Sequence, residues 1–347
     1  MLTTLILFII ILSITVLVHE MGHFLFARMV KVHVYEFAIG MGPVIYSKKG
    51  KSGIKYSIRA IPLGGFVSLA GEEVDIKLEK HPGKNLQDKT LFQRFLVMFM
   101  GVGFNFVFAF LVLFSIALFA GSPNMDPIIS GVPEGKPAFE AGITPGTEVL
   151  AINGKKVTFI DDITLFLTVE DLSKPLKIKM RSTENNVRTV TVVPREEKID
   201  GETKYVIGIE LSPKRETGFI NSVIYGFKQM GALFKQMFVV LTSLFTGKLS
   251  IGKLSGPVGI YGVVGSMKKE GAVALFSLLA ILSINVGVIN LLPFPAFDGG
   301  RILFLIIERI TKKPISPKVE NAIHSIGFIL LMILMLFVTF NDIMKLF

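Results

Sequence analysis

Four stretches of this 347-residue chain, 1–28, 96–120, 272–292 and 323–340, are apolar enough and long enough to cross a bilayer. Roughly 30 Å of hydrocarbon takes about 20 residues of helix, and inside it every backbone N–H and C=O must be satisfied by the chain itself. The stretches therefore restrict the fold to a multi-pass helical membrane protein, in keeping with a hydrophobic content of 51%. The first run is read as a span and not as a signal peptide, because no basic residue precedes it and no small-residue cleavage site follows. The formal charge of +10 comes from Lys and Arg scattered in loops beside apolar runs. That pattern points to membrane topology, and no nucleic-acid partner is expected. With no Cys in the chain, disulfides, thiolate ligands and a Cys nucleophile are excluded, so a metal would have to be held by His and carboxylate.

Between the first two spans lie Arg28, Lys31, Lys48, Lys49, Lys51, Lys55, Arg59, Lys89 and Arg94, and after the third come Arg309, Lys312, Lys313 and Lys318. By the positive-inside rule both connections are cytoplasmic. Four spans then put both termini and the central segment outside. That segment, about 124–215, is richer in charge and turn signals. "TEVLAINGKKVTF" reads as two strands joined at Asn153-Gly154, a pair suited to positive φ at both turn positions. "IDDITLFLTV" reads as a short helix, and "LKIKMRSTENNVRTVTVV" as a second hairpin around Asn185-Asn186. The stretch "PAFEAGITPGTEVLAINGKKV" resembles the PDZ family, with Thr147 where Asp is more usual; the resemblance implies peptide contact outside the membrane.

Residues 218–245 are long enough to span, but Lys228 and Lys235 share one helical face with Gln229 and Gln236 beside them. An amphipathic helix in the interface is expected in preference to a fifth span. The connection 31–90 contains "VYEFAIG", "VIYSKK", "IKYSIRAI" and "GGFVSLA", short β-branched or aromatic runs broken by Gly and Pro, which read as strands. Its glycines lack the spacing and the following Lys-Ser/Thr of a phosphate loop.

The first span ends in "HEMGH". On a helix, His19 and His23 lie one turn apart on one face and can reach one ion, with Glu20 close enough to act on a ligand of that ion. Ionisable groups at membrane depth are costly, and a metal offsets that cost. Two His and a water leave tetrahedral zinc one protein ligand short. Asp298, in "NVGVINLLPFPAFDGGR", is the expected third ligand, because Pro293, Pro295, Gly299 and Gly300 should unwind the chain there. The competing readings are that Asp298 merely caps the following helix and that His324 is the ligand. Asp342 sits at the far end of the last span, and His33, His81 and the carboxylates of 72–79 belong to the cytoplasmic connection.

Together, "HEMGH", "NLLPFPAFDGG" and the PDZ-like insert make nearly the whole chain similar to bacterial members of the site-2 protease family of intramembrane metalloproteases. The family's N-x-x-P-x-P-x-L-D-G is matched by Asn290, Pro293, Pro295, Asp298 and Gly299, with Phe297 in place of Leu. "GVGFNF" resembles its G-P-x-x-N, with Val102 in place of Pro, so a straighter helix is expected. The resemblance implies that Asn290 holds the substrate strand or transition state, and that 58–71 belongs to a β-hairpin sheet near the site, with Gly64, Gly65 and Phe66 expected to bind substrate. It also implies a bacterial cytoplasmic (inner) membrane location and single-pass transmembrane substrates already cut outside, such as anti-sigma factors or signal-peptide remnants, in regulated intramembrane proteolysis.

The expected fold is thus a multi-pass α-helical membrane protein of four transmembrane helices, with a membrane-associated β-hairpin sheet and an inserted extracytoplasmic PDZ-like α+β domain. Its expected division is 1–30, 31–90, 91–121, 122–215, 216–270, 271–300 and 301–347. The expected chemistry is peptide hydrolysis with Zn²⁺ on His19, His23 and Asp298, and Glu20 as general base. A PDZ scaffold without catalysis is the rival reading, but it has no use for Glu20. A metal transporter would need more intramembrane charge than the chain carries.

Overall fold

The computed structural model describes residues 1–71, 83–199, 202–211, 215–250, 252, 254–313 and 315–345. They form two compact units, Met1–Val112 with Gly252–Phe347, and Leu113–Ile251. Among the described residues four helices are long and apolar enough to cross a membrane: Leu2–Met29, Leu91–Ala120, Ala272–Leu291 and Lys318–Met344.

Helix α1 (Leu2–Met29) is apolar on all sides, as a lipid-facing helix must be, yet its buried residues include Ile11, Thr15, His19, His23 and Ala27. That i, i+4 spacing is one stripe along the helix, and it carries both histidines. The pair β1 (Val34–Lys49) and β2 (Lys55–Leu69) follows. Irregularities in its register break each long strand in two: 46–49 pairs with 55–58, 36–39 lies between 55–58 and 65–68, and 65–69 is an outer edge. These segments coincide with the four runs singled out in the sequence. Glu36 accepts hydrogen bonds from the Ser57 hydroxyl and from Arg59 at 2.8 Å. Burial pushes the Glu36 carboxyl up, but those two donors outweigh it and hold it below the usual carboxylate range.

A short 3₁₀ turn (Leu86–Asp88) leads into α2 (Leu91–Ala120), which runs unbroken through "GVGFNF", consistent with Val102 in place of a proline. It begins at residue 91 rather than the expected 96. Hydropathy marks only the lipid-crossing part, and the first turn carries Arg94, paired with Glu308 at 2.9 Å.

The second unit holds β3 (Ser122–Pro123), α3 (Pro137–Glu140), β4 (Glu148–Ile152), β5 (Lys155–Lys156), α4 (Ile160–Val169), β6 (Leu176–Arg181), β7 (Val187–Val192), β8 (Arg195–Ile199), β9 (Glu202–Val206), β10 (Arg215–Glu216) and α5 (Phe219–Phe245). The four-stranded sheet has the order β5-β4-β6-β7. At its first hairpin Asn153 and Gly154 have φ of 48° and 81°, the double left-handed turn that matches strand twist. The β8–β9 hairpin was not legible in the sequence. The unit's core includes Ile129, Ile152, Ile163, Leu176 and Met180, with Val239 and Val240 of α5 packed against it. Lys235 of α5 donates to Asp162 at 2.6 Å, so its ammonium is tied to α4. Helix α5 thus belongs to this unit, where the sequence predicts it in the connection 216–270.

The first unit resumes with α6 (Pro257–Glu270), α7 (Ala272–Leu291), α8 (Asp298–Thr311) and α9 (Pro317–Met344). Helix α6 has no counterpart in the sequence expectations; its Val264 packs in one cluster with Ile11, Leu278 and Leu279. Helix α9 begins earlier than the expected 323, again by a polar first turn. Between α7 and α8 the segment 292–297 is non-helical, as two prolines require. Gly299 and Gly300 do not unwind the chain, however; both lie inside α8. A Cβ on Gly299 would stand 2.2 Å from the Leu292 carbonyl oxygen, and one on Gly300 2.5 Å from that of Phe294. These glycines let the proline loop lie on the first turn of α8.

Candidate metal centre

The buried stripe of α1 presents His19 and His23, only 7% and 8% exposed, toward α2. The two helices touch backbone to backbone, for a Cβ on Gly22 would lie 2.0 Å from the Met100 carbonyl oxygen. Close approach through small residues is the usual way helices pack in lipid. It brings His23 Nδ1 within 2.8 Å of the Val97 carbonyl oxygen. A carbonyl only accepts, so Nδ1–H donates there and Nε2 keeps its lone pair.

Asp298 opens α8 and turns its carboxylate onto the same spot. Its Oδ2 lies 3.0 Å from His19 Nε2 and 3.2 Å from His23 Nε2, and the two Nε2 atoms are 3.2 Å apart. The three donors lie within 4.8 Å of one another, although one stands about 275 positions along the chain from the other two. A tetrahedral ion with bonds of about 2.0–2.1 Å holds its ligand atoms about 3.3 Å apart. The observed triangle is close to that, and two imidazoles with one carboxylate are a donor set that suits zinc. Asp298 is therefore both first helical residue and member of the cluster, and the helix-cap reading does not exclude the metal reading.

The cluster forms part of the wall of a cavity of about 650 Å³ that is also lined by Glu20, Asn290, Gly65, Phe66 and His324. Gly64 is buried, with φ of +76°, and a Cβ there would contact Met41 and Val16, both of which line that cavity. His324 is not one of the three clustered donors; its Nδ1 accepts the Ala296 backbone N–H at 3.0 Å. Asp342 is remote from the cluster in function, since its carboxylate takes the N–H groups of Gly256 and Gly259 at 2.7 and 2.8 Å. His33 packs edge-on against Tyr35, while His81 and residues 72–79 lie outside the described residues.

Sequence reasoning missed the support behind the histidines. Gly101 leaves room for the rings, since a Cβ there would stand 2.3 Å from His23 Nε2 and 3.0 Å from His19 Cε1. Asn105 is fully buried, with its amide nitrogen 3.5 Å from His19 Nδ1 and its Oδ1 lacking a hydrogen-bond partner. The Asn105 amide can turn end for end in the same space. With the oxygen turned to the ring, Asn105 accepts the Nδ1 proton and frees His19 Nε2 for a metal. The signal available in the sequence was a lone Asn in a span, inside the "GVGFNF" motif.

Over nearly its whole length the chain is similar to known metalloproteases. Residues 7–334 match the model of peptidase family M50. A protein of Fusobacterium nucleatum provisionally named a zinc metalloprotease is 36% identical over 345 residues, covering 98% of each chain. One of Clostridium perfringens with the same kind of name is 37% identical over 333 residues, covering 95% of this chain and 96% of its own. A protein of Enterococcus faecalis provisionally named the protease eep is 33% identical over 426 residues, covering 99% of both. With a match across nearly its whole length and a His-His-Asp cluster among apolar helices, the chain belongs to peptidase family M50, the site-2 proteases, and is a membrane metalloprotease.

Proposed function

We propose that this metalloprotease hydrolyses a peptide bond within the transmembrane segment of single-pass membrane proteins, with Zn²⁺ held by His19, His23 and Asp298. The observation that carries the reading is the meeting of those three donors in the wall of one cavity with Glu20 and an outer β-segment. An ion held there would supply Lewis acidity, lowering the pKa of a water and polarising the scissile carbonyl. Glu20 takes the proton from that water and returns it to the leaving amine nitrogen. Asn290 donates its side-chain N–H to the substrate backbone or the developing oxyanion, a contact worth about 3–4 kcal/mol in other proteases.

A substrate helix hides its amides in its own hydrogen bonds, so it must unwind before it can be cut. The segment 65–69 is the sheet's outer edge, and Gly65, Phe66, Val67 and Leu69 line the cavity. An extended substrate adds to that edge as a further strand. Water reaches the site from the cytoplasmic side, since His19 and His23 lie in the later half of a helix that begins outside. The second unit acts as an extracytoplasmic PDZ-like domain that selects substrates already shortened outside, which fits a role in regulated intramembrane proteolysis at a bacterial inner membrane. Anti-sigma factors and signal-peptide remnants are the partner classes expected.

The test is cleavage of a membrane-spanning reporter by the purified protein and by Glu20→Gln. Glu20→Gln is expected to keep zinc and lose activity by about 10²–10⁴-fold, the span of general-base contributions. Equal cleavage by both proteins removes Glu20 from the mechanism.

A further inference from the structure

The loop that delivers Asp298 contains an unusual backbone. Ala296 has φ of +85°, a conformation that residues with a Cβ rarely adopt and that persists only where the surroundings impose it. Two contacts from α9 impose it here. The Ala296 N–H donates to His324 Nδ1 at 3.0 Å. One turn further along α9, Gly327 lies against Pro295, where a Cβ would stand 2.4 Å from the proline Cβ and 2.5 Å from its carbonyl oxygen. The His324 ring is itself backed by Phe304 of α8, edge-on with ring centroids 5.6 Å apart. Ala296 is only two residues before Asp298, so its φ directs the carboxylate.

We propose that His324 is a positioning residue for the metal-binding carboxylate: through Nδ1 it holds the Ala296 amide, and with it the loop that aims Asp298 at the two histidines. The fourth span thereby acts on the metal without ligating it. This inference rests on the ligand assignment made above. It also gives the imidazole a role that an amide can fill, because the Oδ1 of Asn is an acceptor that reaches about as far as His Nδ1.

The experiment uses the full chain in detergent, reading zinc affinity by competition with a chelator and, after cobalt substitution, the visible absorption of the site. His324→Phe is expected to lose about 10–100-fold in zinc affinity, the usual loss when the group behind a ligand is removed, and to alter the cobalt spectrum. His324→Asn is expected to recover most of the affinity and the native spectrum. Gly327→Ala, which leaves His324 in place but pushes on Pro295, is expected to weaken zinc as well. Native affinity in His324→Phe overturns the proposal. So does a His324→Asn as weak as His324→Phe, because the imidazole then matters beyond its acceptor. Should His324→Phe fail to fold, native zinc affinity in Gly327→Ala overturns it. Asp298→Ala measured alongside separates the two levels. Native affinity in Asp298→Ala removes the ligand assignment itself, whereas loss there with none in His324→Phe removes only the positioning role.

Discussion

Gly101 carries as much of the candidate site as a ligand does, although it has no side chain to offer. Its missing Cβ is the space in which the rings of His19 and His23 sit, the nearest atom being 2.3 Å from where that carbon would be. Gly101→Ala must therefore move an imidazole or part α1 from α2. Misplacing a reacting group by about 1 Å can cost about 10²-fold in rate. The expected outcome is a fall of that order in reporter cleavage with weakened zinc binding and an unchanged helical circular dichroism spectrum. The "HEMGH" motif was legible because helical periodicity alone puts both histidines on one face. Val97, Gly101 and Asn105 were not, because their contacts with the histidines depend on two spans meeting, and no local pattern encodes that meeting.

Helix α6 shows why some elements escape a sequence reading. "GPVGIYGVVGS" is rich in glycine, which disfavours a helix by about 1 kcal/mol per residue relative to Ala. Tertiary contacts outweigh that preference. Val264 is buried among α1 and α7 residues, and the helix N-terminus is capped from a distant element: the Asp342 carboxylate in α9 accepts the N–H groups of Gly256 and Gly259. A carboxylate at a helix N-terminus satisfies orphan donors and complements the dipole. Asp342→Ala leaves the buried Gly256 N–H and the half-buried Gly259 N–H without that acceptor and is expected to destabilise the protein by about 1–3 kcal/mol, read as a lower melting temperature in detergent. An unchanged melting temperature contradicts the capping role. The strands of 34–69 were legible, in contrast, because Gly and Pro break them into short β-branched runs, the breaks the register later shows. The proline loop was legible as non-helical, but the role of Gly299 and Gly300 was not, since close packing and chain unwinding leave the same glycine signature.

At the scale of the whole molecule, His19, Glu20, His23, Asn290 and Asp298 all belong to the unit of Met1–Val112 and Gly252–Phe347. The inserted unit closes on a stem in which Ser122 pairs with Glu216 and Pro123 with Arg215, so its ends are adjacent and a short linker can replace 124–214. A chain shortened in this way is expected to bind one zinc and to cleave a reporter with no outer domain. It is also expected to lose the preference for short outer segments. Loss of zinc in the shortened chain would tie the metal site to the insert and contradict this division of labour. The central claim is that two segments far apart in sequence hold a single ion, and anomalous diffraction at the zinc edge on the intact protein tests it most directly. The account expects one zinc per chain, with His19 Nε2, His23 Nε2 and an Asp298 carboxylate oxygen about 2.0–2.2 Å away; a zinc bound elsewhere, or one that leaves Asp298 uncoordinated, contradicts it.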